Sequence, residues 1–464
     1  MTSNSVPTPP VGAPSPAAGE FAGVGPQVPA GSPRLLALHG AEQPYAWGSS
    51  TAIPELLGTP AAGGPVAELW LGTHPVAPAL VEADGARRPA ADLVGPLPFL
   101  LKVLAADKAL SLQVHPDLAQ AAAGFAADDA AGLAVDDSRR RYRDRNHKPE
   151  LIVALSPFRA LAGVRDPART LAVARALATP ALLAAFRPLA DDPAAGAATV
   201  LRTLLTMPAG PAGELVGALV AAADRLRRTR GRIPTGAEAT SGEAAGDVNV
   251  NVNNGDGDGD GLAGQDPGDG DDDVARAADL VGRLAAAHPG DVGIAAALLL
   301  NDVTLRPGEG LFQPARMLHA YVAGLGIEIM ATSDNVLRGG LTPKHIDVDE
   351  LLLIFDPTPS DAPVQSARIV SDSPGGLLRG WDVPVADFAL AEAVCTGGSV
   401  PVGRPTVLLA VEGRVEVTAA ADDGTAVAPL TLRRGGSALV AGRAAVTLTG
   451  TGRVFLAAPG ARPV

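Results

Sequence analysis

Hydrophobic and polar positions change rhythm twice along the chain. From about residue 34 to 165 the apolar runs are short and broken by Gly and Pro. PALVEAD (78–84), LPFLLKVLAA (97–106), LSLQVHP (110–116) and PELIVALS (149–156) read as strands. From Asp166 the pattern turns helical. DPARTLAVARALATPALLAAF (166–186) and GELVGALVAAADRLRR (213–228) are Ala/Leu-rich, with Asp166 as N-cap and Pro167 in the first turn. Another helix is predicted near Asp273, where Val274, Ala277, Val281 and Leu284 share a face. After Leu305 strand signals return in TLRPGEGLFQPARMLHAYVAG (304–324). TVLLAVEGRVEVTA, SALVAG, AVTLTG and RVFLAA follow toward the end. Strands, then helices, then strands again predict a β-barrel interrupted by a helical insertion and followed by a second β domain.

Composition narrows this picture. Hydrophobic residues make up 47% of 464 but aromatics only 3%, so Ala, Val and Leu must fill the cores. No charge-free apolar run approaches the length of a membrane span. The Pro/Gly/Ser/Ala-rich leader 1–34 lacks the charged-then-apolar pattern of a secretory signal and is expected to be disordered. Cys395 is the only cysteine, so a reducing cytoplasm is the expected location. The net charge of −13 is mostly local. Residues 232–273 hold eleven acidic side chains against one Arg, so a basic nucleic-acid footprint is absent. Within that stretch Asp256, Asp258, Asp260 and Gly261 resemble the start of a calcium loop. Pro267 stands where a bidentate Glu is needed, so the segment reads as a solvated loop whose deletion should be nearly neutral.

Seven histidines confine the candidate metal chemistry, because none lies beyond His345. In LSLQVHPD, Ser111, Gln113 and His115 alternate with Leu112 and Val114. Strand geometry then puts Gln113 and His115 on one face about 7 Å apart. NHKPELIVAL adds Glu150 beside His147, and QPARMLHAY adds His319 five residues after Pro314, a spacing similar to the metal strand pair of cupin barrels. Two imidazoles, a carboxylate and an amide oxygen suit zinc with a position left open. Arg316 stands in the turn before His319, where a small residue is more usual.

Longer blocks carry a resemblance. QPYAWGSS (43–50), AELWLGTHP (67–75), LPFLLKVLAADKALSLQVHPD (97–117), NHKPELIVAL (146–155) and PARMLHAYVAGLGIEIMATSDNVLRGGLTPKHID (314–347) resemble class I mannose-6-phosphate isomerases, in order and spacing. The resemblance implies a zinc enzyme interconverting mannose 6-phosphate and fructose 6-phosphate. It implies a mainly β fold: a catalytic cupin (jelly-roll) barrel, an inserted helical domain and a second, C-terminal cupin-like β domain. The expected boundaries are 35–165 and 305–350 for the barrel, 166–304 for the insertion and 351–464 for the last domain. It places one zinc on Gln113, His115, Glu150 and His319. It sets Lys102 and Ser111 against the substrate phosphate and makes Arg338 the catalytic arginine. His147, Lys148, Glu328 and Asp334 would surround the sugar, with Tyr321 and Trp47 lining the pocket.

Aldose–ketose isomerisation moves a proton between C2 and C1 through a cis-enediol, which requires a base and a stabiliser of oxyanion charge. Glu328, Lys148 and His147 are the candidate side-chain bases, a metal-bound water is a fourth, and His147 is the expected partner in ring opening. The substrate class is a hexose 6-phosphate; no nucleic acid or membrane partner is expected, and a monomer is compatible with the sequence. Two rivals stand beside this reading. A non-catalytic sugar-binding cupin would lose the zinc set or Arg338, and a cupin oxygenase or epimerase would prefer a tighter His-x-His pair.

Overall fold

The computed structural model describes residues 33–61, 63–137, 139–230 and 270–460. The leader through residue 32 and the calcium-like stretch 256–267 lie outside the described residues. The described chain divides into two compact units, one formed by Gly40–Pro78 and Leu97–Ser366, the other by Arg34–His39, Ala79–Pro96 and the C-terminal residues from Ala367.

The larger unit is built on an eleven-stranded antiparallel sheet system. Its main path runs Val364–Ser366, Glu309–Gln313, Glu150–Ala154, His319–Ala331, Phe99–Ala106, Glu68–Gly72 and Ala41–Gln43. The strand His319–Ala331 organises it. Its second half pairs with Phe99–Ala106 and Glu150–Ala154, while its first half pairs with Phe158–Val164 and Gln113–Val114. A register shift lies between Tyr321 and Ala323, and Gly324 follows at φ 129°. A Cβ there would sit 2.8 Å from the Phe158 backbone, so the corner at which the strand changes partners needs glycine. All eight residues of Phe99–Ala106 are buried, which explains why that strand reads as a continuous apolar run.

The helical insertion fills the space behind the site strands. Pro167–Leu177 starts at Asp166, whose side chain accepts from the Arg169 amide. Gly270–Ala287 presents Val274, Ala277, Val281 and Leu284, all buried. These side chains belong to one core with Leu112, Val114, Leu318 and Leu337. The apolar half of LSLQVHP thus seals against helices, and its polar half is left facing the opposite way.

The second unit carries a ten-stranded sheet. Its path runs Arg368–Ser373, Gly376–Gly380, Ala389–Gly403, Ala444–Ala458, Val407–Ala421, Ser437–Ala441, Arg34–His39, Leu80–Ala83 and Ala86–Pro89. This corrects the expected boundaries. Arg34–His39 and Leu80–Pro89 pair with or beside the C-terminal strands, whereas Val348–Ile354 and Val364–Ser366 stay in the larger unit. Leu300–Leu305, assigned by sequence to the insertion, is a strand paired with Phe158–Val164. Alternation identifies a strand but not the sheet that receives it; pairing with residues hundreds of positions away decides that.

Candidate metal centre and substrate cavity

Three side chains converge from three places in the chain. His115 follows the short strand Gln113–Val114, Glu150 opens Glu150–Ala154, and His319 opens the long strand. One ligand atom from each lies within 4.8 Å of the others. All three are almost completely buried, at 1%, 1% and 0% exposure. Gln113 stands opposite His319 in register and faces the same cavity.

The hydrogen bonds around this triad fit a cation. His115 Nδ1 meets the Asn335 carbonyl at 2.7 Å and His319 Nδ1 meets the Met317 carbonyl at 2.9 Å. A carbonyl only accepts, so each Nδ1 carries the proton and each Nε2 presents its lone pair. Both Nε2 atoms and Glu150 Oε2 are buried without a hydrogen-bond partner. Unsatisfied buried polar atoms are costly, and three aimed at one another suit a shared cation. Burial and the Lys148 ammonium push His115 down to about 4, which keeps it neutral and ready to ligate. Burial opposes ionisation of Glu150, but the Lys148 ammonium, 2.8 Å from its Oε1, holds it well below the usual carboxylate range. The donor set matches an open zinc site.

Above the triad lies a cavity of about 680 Å³ within the larger unit. Trp47, Ser111, Lys148, Tyr321, Asp334 and Arg338 line it, as do Lys102 and Glu328. His147 does not. Lys148 and Glu150, two positions apart, both face the cavity.

Lys102 faces the cavity from among carboxylates. Its Nζ lies 2.9 Å from Glu328 Oε2, 3.6 Å from Glu68 Oε1 and 5.4 Å from the Trp70 ring centroid. Burial would lower its pKa, but Glu328, Glu68 and Glu150 outweigh that and keep it charged. Register explains the cluster, because Glu328 pairs with Lys102 and Lys102 with Trp70 across adjacent strands. Tyr321 Oη reaches Glu328 Oε1 at 2.8 Å and Gln313 Oε1 at 2.9 Å. Burial raises the Glu328 pKa, Lys102 opposes it, and Glu150 and Glu68 add to the rise.

Arg338 and the exposed Lys344 have no carboxylate partner among the described residues. Burial and Arg143 lower the Arg338 pKa; Arg338, burial and Arg143 lower that of Lys344. Cations repelling one another beside a cavity suit a multiply charged anion. The sequence reading missed Lys344, Glu68 and His74. His74 is buried in the lining with Nε2 3.4 Å from Asp334 Oδ1, and this contact is the leading cause of the lowered Asp334 pKa. All three lie inside AELWLGTHP or LTPKHID, stretches already quoted for the family resemblance they carry. Arg316 adopts φ 72°, held by its amide on the His115 carbonyl (2.7 Å) and its guanidinium on the Ile354 carbonyl (3.1 Å), and the turn to His319 survives.

Comparison with known proteins agrees with this geometry. The model of the type I phosphomannose isomerase catalytic domain matches residues 86–167. Mannose-6-phosphate isomerase of Salmonella typhimurium is 32% identical over 441 residues, covering 89% of this chain and 96% of the relative. That of Escherichia coli is 30% identical over 437 residues, with the same coverage. A zinc-bound crystal structure of mannose 6-phosphate isomerase superposes with a TM-score of 0.72 at 29% identity, over 92% of this chain and all of the other. With its zinc-type donor set, its anion-ready cavity and relatives spanning nearly its whole length, the chain belongs to the type I phosphomannose isomerase family.

Proposed function

We propose that this protein is a zinc-dependent isomerase interconverting mannose 6-phosphate and fructose 6-phosphate. The observation that carries the reading is the buried His115–Glu150–His319 triad, with unpartnered donor atoms, at a cavity that also holds unpaired cations. His115, Glu150, His319 and Gln113 would hold the zinc, which supplies Lewis-acid stabilisation of negative charge on the sugar oxygens.

The chain's own residues divide the remaining work. Arg338, Lys344 and Ser111 bind the phosphate: the cations are unpaired and Ser111 adds a hydroxyl donor on the same cavity wall. Lys102 has two carboxylates as near neighbours, so its task is to fix Glu328 rather than to bind phosphate. Glu328 is the base that moves the proton between C2 and C1. Its raised pKa brings a carboxylate closer to neutral pH, where base strength and ionised fraction are best balanced. Tyr321 and Lys102 hold its two oxygens, so its orientation is set before substrate arrives. Lys148 keeps Glu150 ionised, and Asp334, backed by His74, faces the sugar hydroxyls. A reducing compartment is the location this reading favours, on the strength of the single cysteine.

The test is His319→Ala. It should lower bound zinc from one per chain toward none and abolish isomerisation, leaving the helical content of the circular dichroism spectrum intact. Full zinc content with near-normal turnover would remove the triad from the reaction.

A further inference from the structure

We infer that Asn335 is a positioning residue of the metal centre: one buried amide ties the loop leading into Glu150 to the carbonyl that orients His115. The inference rests on the zinc reading above and adds residues that touch neither metal nor substrate.

Asn335 is 1% exposed and every polar atom it has is engaged. Its carbonyl accepts from His115 Nδ1 at 2.7 Å. Its side-chain oxygen accepts the amides of Arg143 (2.7 Å) and Asp144 (3.4 Å). Its Nδ2 donates to the carbonyls of Asp144 and Asn146, both at 2.9 Å, and lies 3.2 Å from Asp144 Oδ1. The amide orientation is therefore unambiguous, since reversing it would set donors against donors and oxygens against oxygens.

Asp144 closes the clamp from the other side. Its carboxylate accepts from Ser333 Oγ (2.9 Å), the Asp334 amide (2.8 Å) and the Asn146 amide (2.9 Å). The segment 143–146 has no strand of its own to hold it, yet it delivers Lys148 and Glu150 to the centre. Three residues after Asn335 the chain reaches Arg338. A bare packing residue would need none of these bonds. The clamp fixes two ligands relative to each other, Glu150 through the loop and His115 through its tautomer.

The experiment measures zinc affinity by competition with a chromophoric chelator, and the absorption spectrum of the cobalt(II)-substituted protein. Asn335→Ala should weaken zinc roughly 10- to 100-fold and alter the cobalt bands. Asp144→Asn keeps the side-chain shape and should weaken zinc less, in the same direction; it carries the test if Asn335→Ala does not fold. Glu350→Gln is the structural control. Glu350 anchors the same stretch through Arg141 (2.6 Å) and Tyr142 (2.5 Å) without reaching His115. It should lower the melting temperature and leave zinc affinity and the cobalt bands at wild-type values. Wild-type affinity and spectra in the folded Asn335 and Asp144 variants overturn the inference alone. A wild-type chain that takes up no zinc overturns the site reading and this inference together.

Discussion

Glu328→Gln separates a base from a structural carboxylate. The substitution keeps size and removes the proton acceptor. Lys102 loses its 2.9 Å partner but keeps Glu68 at 3.6 Å, so its charge is not abandoned. The new amide can point its oxygen at Lys102 and its NH2 at Tyr321 Oη, whose hydrogen then turns to Gln313 Oε1 at 2.9 Å. The stability cost should be about 1–3 kcal/mol, that of a lost charged hydrogen bond, and less than that of a stranded buried charge. The catalytic cost should be far larger. Removing a general base typically costs about 10²- to 10⁴-fold, or roughly 3–5 kcal/mol of barrier. Initial rates of fructose 6-phosphate formation, read through a coupled dehydrogenase, give kcat. Loss of deuterium from C2-labelled mannose 6-phosphate into solvent checks that proton abstraction itself has slowed. In the wild type, the acid limb of the rate profile should lie above the ordinary carboxylate range, because the raised pKa requires a higher pH to ionise Glu328. A folded Glu328→Gln protein with kcat within about tenfold of wild type would refute the assignment.

Two further substitutions sort the cations, and one titration tests the metal-ready histidine. Lys344→Ala should raise KM for mannose 6-phosphate more than it lowers kcat, whereas Lys102→Met should lower kcat and melting temperature together; the opposite pairing, read by steady-state kinetics, would return the phosphate to Lys102. His115 is depressed to about 4 in the folded chain against 6.5 unfolded, so the unfolded state takes up its proton first as pH falls. The metal-free protein should then lose stability between pH 6.5 and 4, by about 3 kcal/mol from this group. Denaturant titrations should show that slope reduced in His115→Gln, and an equal slope in both proteins would contradict the burial of a neutral imidazole.

Much of the site was legible because its ligands sit on short, patterned strands. Alternation in LSLQVHP separated Gln113 and His115 from Leu112 and Val114, and the core behind Leu112 and Val114 confirms that division. The Asp166 cap and the Val274–Leu284 face were equally readable, since capping and helical period are local. Partnership was not. Whether Lys102 meets phosphate or Glu328 depends on a register between residues 226 positions apart. Whether His147 faces the cavity depends on which side of the loop Glu150 takes. The same limit hid the return of Arg34–His39 to the C-terminal sheet.

The central claim is that His115, Glu150 and His319 hold a zinc ion on which isomerisation depends. Stripping the purified protein with a chelator and titrating zinc back, while following mannose 6-phosphate conversion, tests it most directly. The account predicts no turnover in the stripped protein and recovery that saturates at one zinc per chain. Full turnover in the stripped protein, or none at any zinc level, would contradict it.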